Sequence, residues 1–299
     1  MTSGLDDDGR APTHPDYLIV GHVTRDVVGN GYVPGGTVTY AGLTAQALGR
    51  RVAAVTSVGP DTSLDAVLPG LEFRAQPAAV STTFENVYTA GRRQQWLRSV
   101  ASPLTLDLIP EPWRHAPIVH LAPLAGEFGS DLVLDLQGAR LLGLTPQGWM
   151  RIWDLQGRVR RSAWPEPTDA LRTADAVVFS EEDVEGDWDV CRRYSQDAKL
   201  LVVTRGMHGC TVFEGTRCWE VPAFPVEELD ATGAGDVFAA AFFCSLLDGG
   251  DAIAAARFAN CVASFAVQVL GPGGIPSRGA IEERLRQAVP EVRLVGEAR

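Results

Sequence analysis

The sequence is unusually poor in lysine. Of its 299 residues, 26 are basic, and Lys199 is the one lysine among them, so the other 25 are arginines. A Walker A loop requires the sequence Gly-Lys-Ser/Thr, but Lys199 lies between Ala198 and Leu200. The His-Arg-Asp and Asp-Phe-Gly signatures of protein kinases are also missing. These absences exclude phosphate binding by the common lysine-based loops.

An excess of positive charge and a long apolar run are missing as well. The 26 basic residues stand against 37 acidic ones, which gives a net charge of −11. Nucleic-acid binding requires clustered positive charge, so we expect no nucleic-acid partner. The longest strongly apolar uncharged stretch, residues 258–270, is shorter than the roughly 20 residues that cross a bilayer. We therefore expect no membrane span.

Paired cysteines and a signal peptide are not evident either. The five cysteines form no Cys-x-x-Cys motif, which favours buried thiols in a reducing cytoplasm over a disulfide or metal framework. Residues 1–15 are polar and acidic and lack the apolar core of a signal peptide. We predict that they form a flexible leader in front of one domain at residues 16–299.

Apolar β-rich runs alternate with helical patterns along that domain. This alternation predicts an α/β fold, a doubly wound and mainly parallel sheet flanked by helices, with ligands beyond the carboxyl ends of the strands. The predicted strands are residues 17–23, 52–58, 118–121, 140–144, 176–179 and 200–204, and a helix is predicted at residues 40–48. Two segments break the alternation: the glycine-rich residues 27–39, and residues 80–100, whose period-2 pattern around Ala90-Gly91 predicts a hairpin. We predict that both form a small β lid.

The segment Asp230–Asp236 reads Asp-Ala-Thr-Gly-Ala-Gly-Asp and precedes an apolar helical run. Glycines and small residues at that point leave backbone N–H groups exposed at a helix N-terminus, which is a site for an anion. A carboxylate beside such a site fits phosphoryl transfer, in which a base accepts the proton of the attacking hydroxyl. Asp236 could equally be only an N-terminal capping carboxylate, and both readings remain open.

At this point the sequence resembles the ribokinase/PfkB carbohydrate kinase family, whose C-terminal signature is Asp-Thr-x-Gly-Ala-Gly-Asp, with Ala231 here in place of Thr. Four further elements occur in the family's order. They are Gly35-Gly36, the Asn-x-x-Glu-like Ser180–Asp183, the Thr-x-Gly-x-x-Gly turn Thr204–Gly209, and residues 258–260 with 271–276 where the adenine pocket closes. The resemblance covers about residues 17–285.

The resemblance implies roles for these residues. Asp236 would be the general base, and Gly233, Ala234 and Gly235 would form the anion hole. Asp183 and Asp230 would act through a magnesium ion or its waters, although Ser180-x-x-Asp183 also reads as a helix capping box. The residues that would contact the nucleotide are Thr204, Gly206, Gly209, Thr232, Gly233, Gly235 and Asn260.

At the acceptor end, the resemblance implies that Asp26 binds sugar hydroxyls and that Gly35 and Gly36 let the substrate approach the backbone. The family often has Asn where this chain has Tyr40, which puts ordinary ribose recognition in doubt. The remaining implied contacts are Gln147 and Arg151. Tyr40 and the Pro-Gln-Gly at residues 146–148 look more like the inositol-kinase-like branch of the family.

The resemblance therefore implies an ATP- and Mg²⁺-dependent kinase for a small sugar or cyclitol, with a myo-inositol-like polyol favoured. It also allows a monovalent cation near the anion hole and a homodimer formed through the lid. A nucleoside or ribose kinase of the family, and a non-catalytic nucleotide- or polyol-binding regulator on this fold, stay open as alternatives. A dehydrogenase is disfavoured, because Gly233-x-Gly235 lacks the third glycine of the dinucleotide fingerprint.

Overall fold

A computed structural model describes residues 14–89, 92–287 and 291–297. Most of the predicted leader, residues 1–13, lies outside the described residues. The predicted hairpin turn at Ala90-Gly91 also lies outside them.

The strands and helices of the described residues alternate through most of the chain, as the sequence predicts. The strands are β1 (Tyr17–Val20), β2 (Thr24–Val28), β3 (Gly31–Gly35), β4 (Val52–Val58), β5 (Glu72–Pro77), β6 (Thr82–Thr89), β7 (Arg92–Ser99), β8 (Ile118–Leu121), β9 (Leu141–Leu144), β10 (Arg151–Trp153), β11 (Val159–Arg161), β12 (Ala176–Ser180), β13 (Leu200–Thr204), β14 (Cys210–Glu214), β15 (Arg217–Val221) and β16 (Arg293–Glu297). The α-helices are α1 (Thr37–Ala47), α2 (Leu64–Val67), α3 (Leu132–Asp135), α4 (Thr168–Thr173), α5 (Trp188–Asp197), α6 (Ala234–Leu247), α7 (Ala252–Ala266) and α8 (Arg278–Leu285).

Ten strands form one large sheet in the order β16-β15-β14-β13-β12-β9-β8-β1-β4-β5. The strands from β13 to β5 pair in parallel, whereas β14, β15 and β16 add an antiparallel edge. From β1 the chain proceeds outward through β4 and β5, and β8 then returns to the other side of β1. The crevice between the carboxyl ends of β1 and β8 is the point where such a sheet binds its ligand.

The large sheet is covered by helices on both faces. In β1, Tyr17 and Ile19 belong to the core under α1, α6, α7 and α8, whereas Leu18 and Val20 belong to the core under α3, α4 and α5. Because successive side chains of a strand point to opposite faces, both faces of the central strands must be apolar. The doubly wound, mainly parallel sheet predicted from the sequence is confirmed.

The small β lid is also confirmed, as a separate sheet in the order β3-β2-β6-β7. The two-stranded hairpin β10-β11 lies against its edge, where the Leu97 N–H donates to the Gly157 carbonyl oxygen (2.7 Å). The first lid segment differs from the predicted residues 27–39 at both ends, because β2 begins earlier, at Thr24, and residues 37–39 belong to α1. Gly36, with φ +85°, redirects the chain from the lid into α1. The helix therefore begins at Thr37, three residues before the predicted start.

The structure also gives the lengths of the apolar helices and the state of the cysteines. Within residues 14–89, 92–287 and 291–297, no helix is long and apolar enough to cross a membrane. All five cysteines are free thiols, and four of them are buried.

Candidate active site

Asp236 lies in the first turn of α6, at the carboxyl end of the large sheet. The Thr37 hydroxyl donates a hydrogen bond to its Oδ1 (2.8 Å). The pKa of the Asp236 carboxyl is raised to about 7, mainly by burial and in part by the negative charges of Asp183 and Asp26. The Thr37 hydrogen bond and the positive charge of Arg151 act in the opposite direction. The pKa of Asp236 therefore depends on charges both from the large domain and from the lid.

The N-terminus of α6 presents backbone next to this carboxylate. Gly233 caps the helix with φ +77°, and the Ala234 N–H donates to the Ala231 carbonyl oxygen (3.2 Å). A β-carbon built on Gly235 would have no heavy atom within 4 Å, apart from its own neighbours and helix backbone, so the backbone there faces open space. Helix N–H groups and the helix dipole favour an anion at this place. Gly235 is more accessible to an anion than Ala234 is.

Tyr40 closes the other side of the glycine turn. It is buried in α1, and a β-carbon on Gly233 would overlap its ring. Burial raises the pKa of its phenol well above the usual value, and the charges of Asp26, Asp230 and Asp236 raise it further. The phenol therefore stays protonated near neutral pH and can donate a hydrogen bond into the cleft.

Asp26 brings a carboxylate from the lid to the same place. It lies in β2 opposite Val33 of β3, and its charge raises the pKa values of both Tyr40 and Asp236. A β-carbon on Gly35 would overlap the Asp26 carboxylate, so glycine leaves room for that side chain in its present position. A β-carbon on Gly36 would lie 2.7 Å from the His22 carbonyl oxygen. The Gly-Gly pair thus permits the close approach of β2, β3 and α1.

Gln147 lies between β9 and β10, and Arg151 is the first residue of β10. Arg151 Nη1 donates to Gln95 Oε1 of the lid (3.2 Å), and its charge lowers the pKa of Asp236. Gln147 Nε2 donates to Asp183 Oδ1 (2.8 Å). The predicted substrate contact Gln147 therefore binds another predicted site residue in this structure, and its contact with a substrate stays a prediction.

The two predicted metal residues differ in how their oxygens are used. Asp183 Oδ2 accepts the Ser180 N–H (2.9 Å), which completes a capping box, while Oδ1 accepts from Gln147. Asp230 Oδ1 accepts the Thr232 N–H (2.9 Å). Within the described part of the chain, no group of three or more His, Cys, Asp or Glu residues could hold a metal by itself. Such a donor set fits a magnesium ion bound mainly by phosphate oxygens and water, with one or two carboxylates.

The predicted nucleotide contacts lie on the same edge of the large sheet. Thr204 ends β13 next to β12, and Gly206 begins the turn that Gly209 closes. A β-carbon on Gly206 would have no neighbour within 4 Å, whereas one on Gly209 would overlap the Val221 carbonyl oxygen. Asn260 is buried, and its amide donates to the carbonyl oxygens of Val221 (3.1 Å) and Pro222 (3.2 Å). That amide is thus engaged in joining α7 to the end of β15, and its contact with a nucleotide stays a prediction.

Sequence reasoning missed two residues of this cleft. Thr37 follows the Gly-Gly pair, but its partner Asp236 is 199 positions away. Glu127 is almost completely buried and accepts the N–H groups of His22 (2.9 Å), Leu124 (2.8 Å) and Ala125 (2.7 Å). It joins the loops that follow β1 and β8 at the crevice. Nothing in the surrounding sequence marks either contact.

Comparisons with known proteins agree with this architecture. The family model described as "pfkB family carbohydrate kinase" matches residues 162–278. Ribokinase of Bacillus subtilis is 46% identical over 86 residues, which are 28% of this chain and 29% of that protein. The chain thus spans less than a third of the length of this curated relative.

Two solved structures extend the likeness over nearly the whole chain. A pyrophosphate-dependent kinase in the ribokinase family, complexed with a pyrophosphate analog and myo-inositol, has a TM-score of 0.76 and 26% identity, covering 90% of this chain and 99% of that one. Arabidopsis thaliana ribokinase complexed with ribose and ATP has a TM-score of 0.71 over 92% of this chain and 100% of its own, and at 18% identity it shows the fold alone. The parallel sheet, the small lid and these likenesses agree, and residues 162–278 match the pfkB family of carbohydrate kinases.

Proposed function

We propose that this protein is a phosphotransferase that moves a phosphoryl group to an alcohol hydroxyl of a small carbohydrate or cyclitol. The observation that carries the proposal is the position of Asp236. Its half-buried carboxylate lies in the first turn of α6, next to the open backbone of Gly235, and within reach of the charges of Asp26 and Arg151. A base, an anion site and a lid thus meet in one cleft.

In this reaction Asp236 accepts the proton of the acceptor hydroxyl as the oxygen bonds to phosphorus. The N–H groups at the start of α6 stabilise the charge on the transferred group, and Arg151 adds a positive charge from the lid side. A pKa of about 7 leaves a large fraction of Asp236 ionised at neutral pH. Magnesium would neutralise phosphate charge when bound, and Asp230 and Asp183 are the residues that would hold it, directly or through water.

For the acceptor we propose a myo-inositol-like polyol. The support is the similarity to a kinase whose structure contains myo-inositol, together with the chemistry of the lid side of the cleft. Asp26 supplies two acceptor oxygens and Tyr40 a protonated phenol, which suit the adjacent hydroxyls of a polyol. A ribose or nucleoside kinase is the alternative within the family.

A donor-consumption screen of the purified protein tests the acceptor. The panel contains myo-inositol, other inositols, ribose, fructose and nucleosides, with Asp236→Asn as the inactive variant. Asp248→Asn is the matched control, because Asp248 follows the other end of α6 and its side chain is 64% exposed. The proposal predicts the highest kcat/KM for an inositol. Turnover of ribose or a nucleoside alone would contradict the polyol assignment, and binding without any turnover would favour the regulator.

The donor has two candidates. We propose ATP, because apolar side chains that a purine base could cover are exposed in or next to the predicted nucleotide segments: Met207 (80% exposed), Leu229 (65%) and Leu270 (69%). The Leu229 N–H also donates to the Val267 carbonyl oxygen (2.7 Å), which holds two of these segments together. Inorganic pyrophosphate is the second candidate, because a similar kinase is pyrophosphate-dependent. Parallel assays with each donor at equal magnesium distinguish the two.

We also propose a homodimer formed through the lid, in a cytoplasmic protein with reduced thiols. The adjoining ends of β2 and β3 expose Val28 (58%) and Tyr32 (53%), which a second lid could cover. The molar mass in solution tests this, with Val28→Asp compared against Leu134→Asp, a similar change at an exposed residue of α3. A dimer that Val28→Asp alone dissociates supports the proposal, and a monomeric wild type contradicts it.

A further inference from the structure

Thr37 connects the two helices that begin at the active site. It is the first residue of α1, is 2% exposed, and follows Gly36 of the lid junction. Its Oγ1 donates to Asp236 Oδ1 in the first turn of α6 (2.8 Å). The buried faces of α1 and α6 belong to the same core. The contact is therefore held from both ends by rigid elements rather than by loops.

The direction of this hydrogen bond has a chemical consequence. A carboxylate has no proton to give, so the Thr37 hydroxyl must be the donor when Asp236 is ionised. A hydrogen bond to the charged form of an acid favours that form. Because Thr37 donates to Oδ1, the other carboxylate oxygen, Oδ2, receives no hydrogen bond from Thr37.

We propose that Thr37 is a positioning residue for phosphoryl transfer: its hydroxyl holds Asp236 Oδ1, fixes the orientation of the carboxylate, and leaves Oδ2 to accept the proton of the acceptor hydroxyl. This inference rests on the proposed role of Asp236 as the base. Thr37 itself neither gives nor takes a proton in the reaction. The acceptor O–H bond breaks and its proton moves to Asp236 as the acceptor oxygen bonds to phosphorus. The bond between that phosphorus and the bridging oxygen of the donor breaks at the same time, and the rest of the donor leaves with the electron pair, as ADP from ATP or as phosphate from pyrophosphate.

Other charged and titratable groups face Asp236 from the surrounding elements. They are Asp26 on β2, Asp183 after β12, Arg151 on β10, Tyr40 on α1 and Tyr17 on β1. Burial raises the pKa values of both tyrosines above 10, and the arginine stays charged, so neither group titrates in the pH range of an assay. The carboxylates Asp26 and Asp183 are the neighbours that a test must separate from Asp236.

The test compares Thr37→Val, which removes the hydroxyl at nearly constant volume, with Thr37→Ser, which keeps it. Thr44→Val is the matched control, because Thr44 is a buried threonine of the same helix whose hydroxyl donates to the Tyr40 carbonyl oxygen. The readouts are kcat and KM between pH 5.5 and 9, with the melting temperature as a check on folding. If Thr37→Val does not fold, Thr37→Ala takes its place.

We expect the acidic limb of the kcat profile to move to higher pH by about one unit in Thr37→Val, because a hydrogen bond to the ionised carboxylate is lost. At pH 6, kcat should fall about tenfold and should partly recover at pH 9, with KM changed by less than about threefold. Thr37→Ser should restore the wild-type limb. In an Asp183→Asn background the limb should move in the acidic direction, and Thr37→Val should shift it back.

An unchanged acidic limb in Thr37→Val, with Asp236→Asn inactive, would overturn the role of Thr37 and leave the proposed function standing. A fall of kcat by the same factor at every pH would also overturn it, because a purely structural contact has that effect. Activity that persists in Asp236→Asn would instead overturn the proposed function. The failures are thus distinguishable.

Discussion

The ring of Tyr40 lies directly over Gly233, so close that a β-carbon at position 233 would overlap three atoms of the ring. Tyr40 lies in the first turn of α1, next to the lid junction, and Gly233 caps α6. Packing of one on the other fixes the distance between the lid junction and the start of α6. The Gly-Ala-Gly sequence thus serves this packing as well as the approach of an anion.

Gly233→Ala should abolish most activity. The added methyl group meets the Tyr40 ring, and φ +77° is strained for alanine, so we expect kcat to fall at least 100-fold with a loss of about 2–4 kcal/mol in unfolding free energy. Denaturant unfolding and steady-state kinetics measure both effects. Gly215→Ala is the control, because Gly215 has φ +57° but open space around it. Equal losses in the two variants would show that backbone strain alone, and not Tyr40, sets the effect.

The overlap between the added methyl group at position 233 and the Tyr40 ring can also be removed by changing Tyr40. In Gly233→Ala/Tyr40→Ala the clashing ring is gone, so the double variant should be more stable than the sum of the single changes predicts, by about 1–3 kcal/mol. Additive losses would contradict direct packing of the two residues.

Asp236→Asn should stabilise the ligand-free protein in a pH-dependent way. The folded pKa of Asp236 is raised to about 7, above the ordinary value of 3.8, so its contribution to stability is complete below pH 3.8 and is lost as the pH rises through 7. Relative to wild type, the variant should gain about 2–3 kcal/mol between pH 5 and pH 7 and little more above pH 7.5. Thermal unfolding of both proteins checks this, and a difference that stays constant with pH would contradict it.

The apolar side chains Leu229 and Leu270 should matter for ATP and not for pyrophosphate. Replacing either with Gln removes apolar surface that a base would cover, which should raise the KM for ATP about three- to tenfold. Leu155→Gln is the control, because Leu155 is fully exposed on the β10-β11 hairpin. Unchanged ATP kinetics in both variants, with efficient use of pyrophosphate, would identify pyrophosphate as the donor.

Asp183→Asn should change metal dependence and pH dependence together. Loss of the negative charge removes one cause of the raised pKa of Asp236, so the acidic limb of kcat should move to lower pH. If Asp183 acts on a magnesium ion through water, the magnesium concentration for half-maximal rate should rise about tenfold. A magnesium titration at two pH values tests both. A change in stability alone, near 1 kcal/mol, would leave Asp183 only as the cap of its helical turn.

The sequence predicts those features of the structure that depend on neighbouring residues in the chain. The strands 52–58, 118–121 and 200–204 are found at the predicted residues, because apolar runs of that length between turns form buried strands. Asp230–Asp236 correctly places a helix N-terminus with a carboxylate in its first turn, since small residues before an apolar helical run leave little alternative.

The contacts that organise the cleft are nonlocal, and the sequence does not reveal them. The partners Thr37 and Asp236 are 199 positions apart, and Glu127 binds the His22 N–H 105 positions away. The resemblance implies a substrate contact for Gln147, but it gives no sign that the amide of this residue donates to Asp183 on another element. Which polar groups come into contact depends on the order of the strands in the folded sheet.

The most direct test of the account is detection of the product by phosphorus NMR. Wild type, Asp236→Asn and Asp248→Asn are each incubated with ATP or pyrophosphate, magnesium and the best acceptor of the panel. The account predicts a phosphomonoester of that acceptor with wild type and with Asp248→Asn, and a rate at least 1,000-fold lower with Asp236→Asn, which still binds donor and acceptor. Product formation by Asp236→Asn at a rate near that of wild type would contradict it.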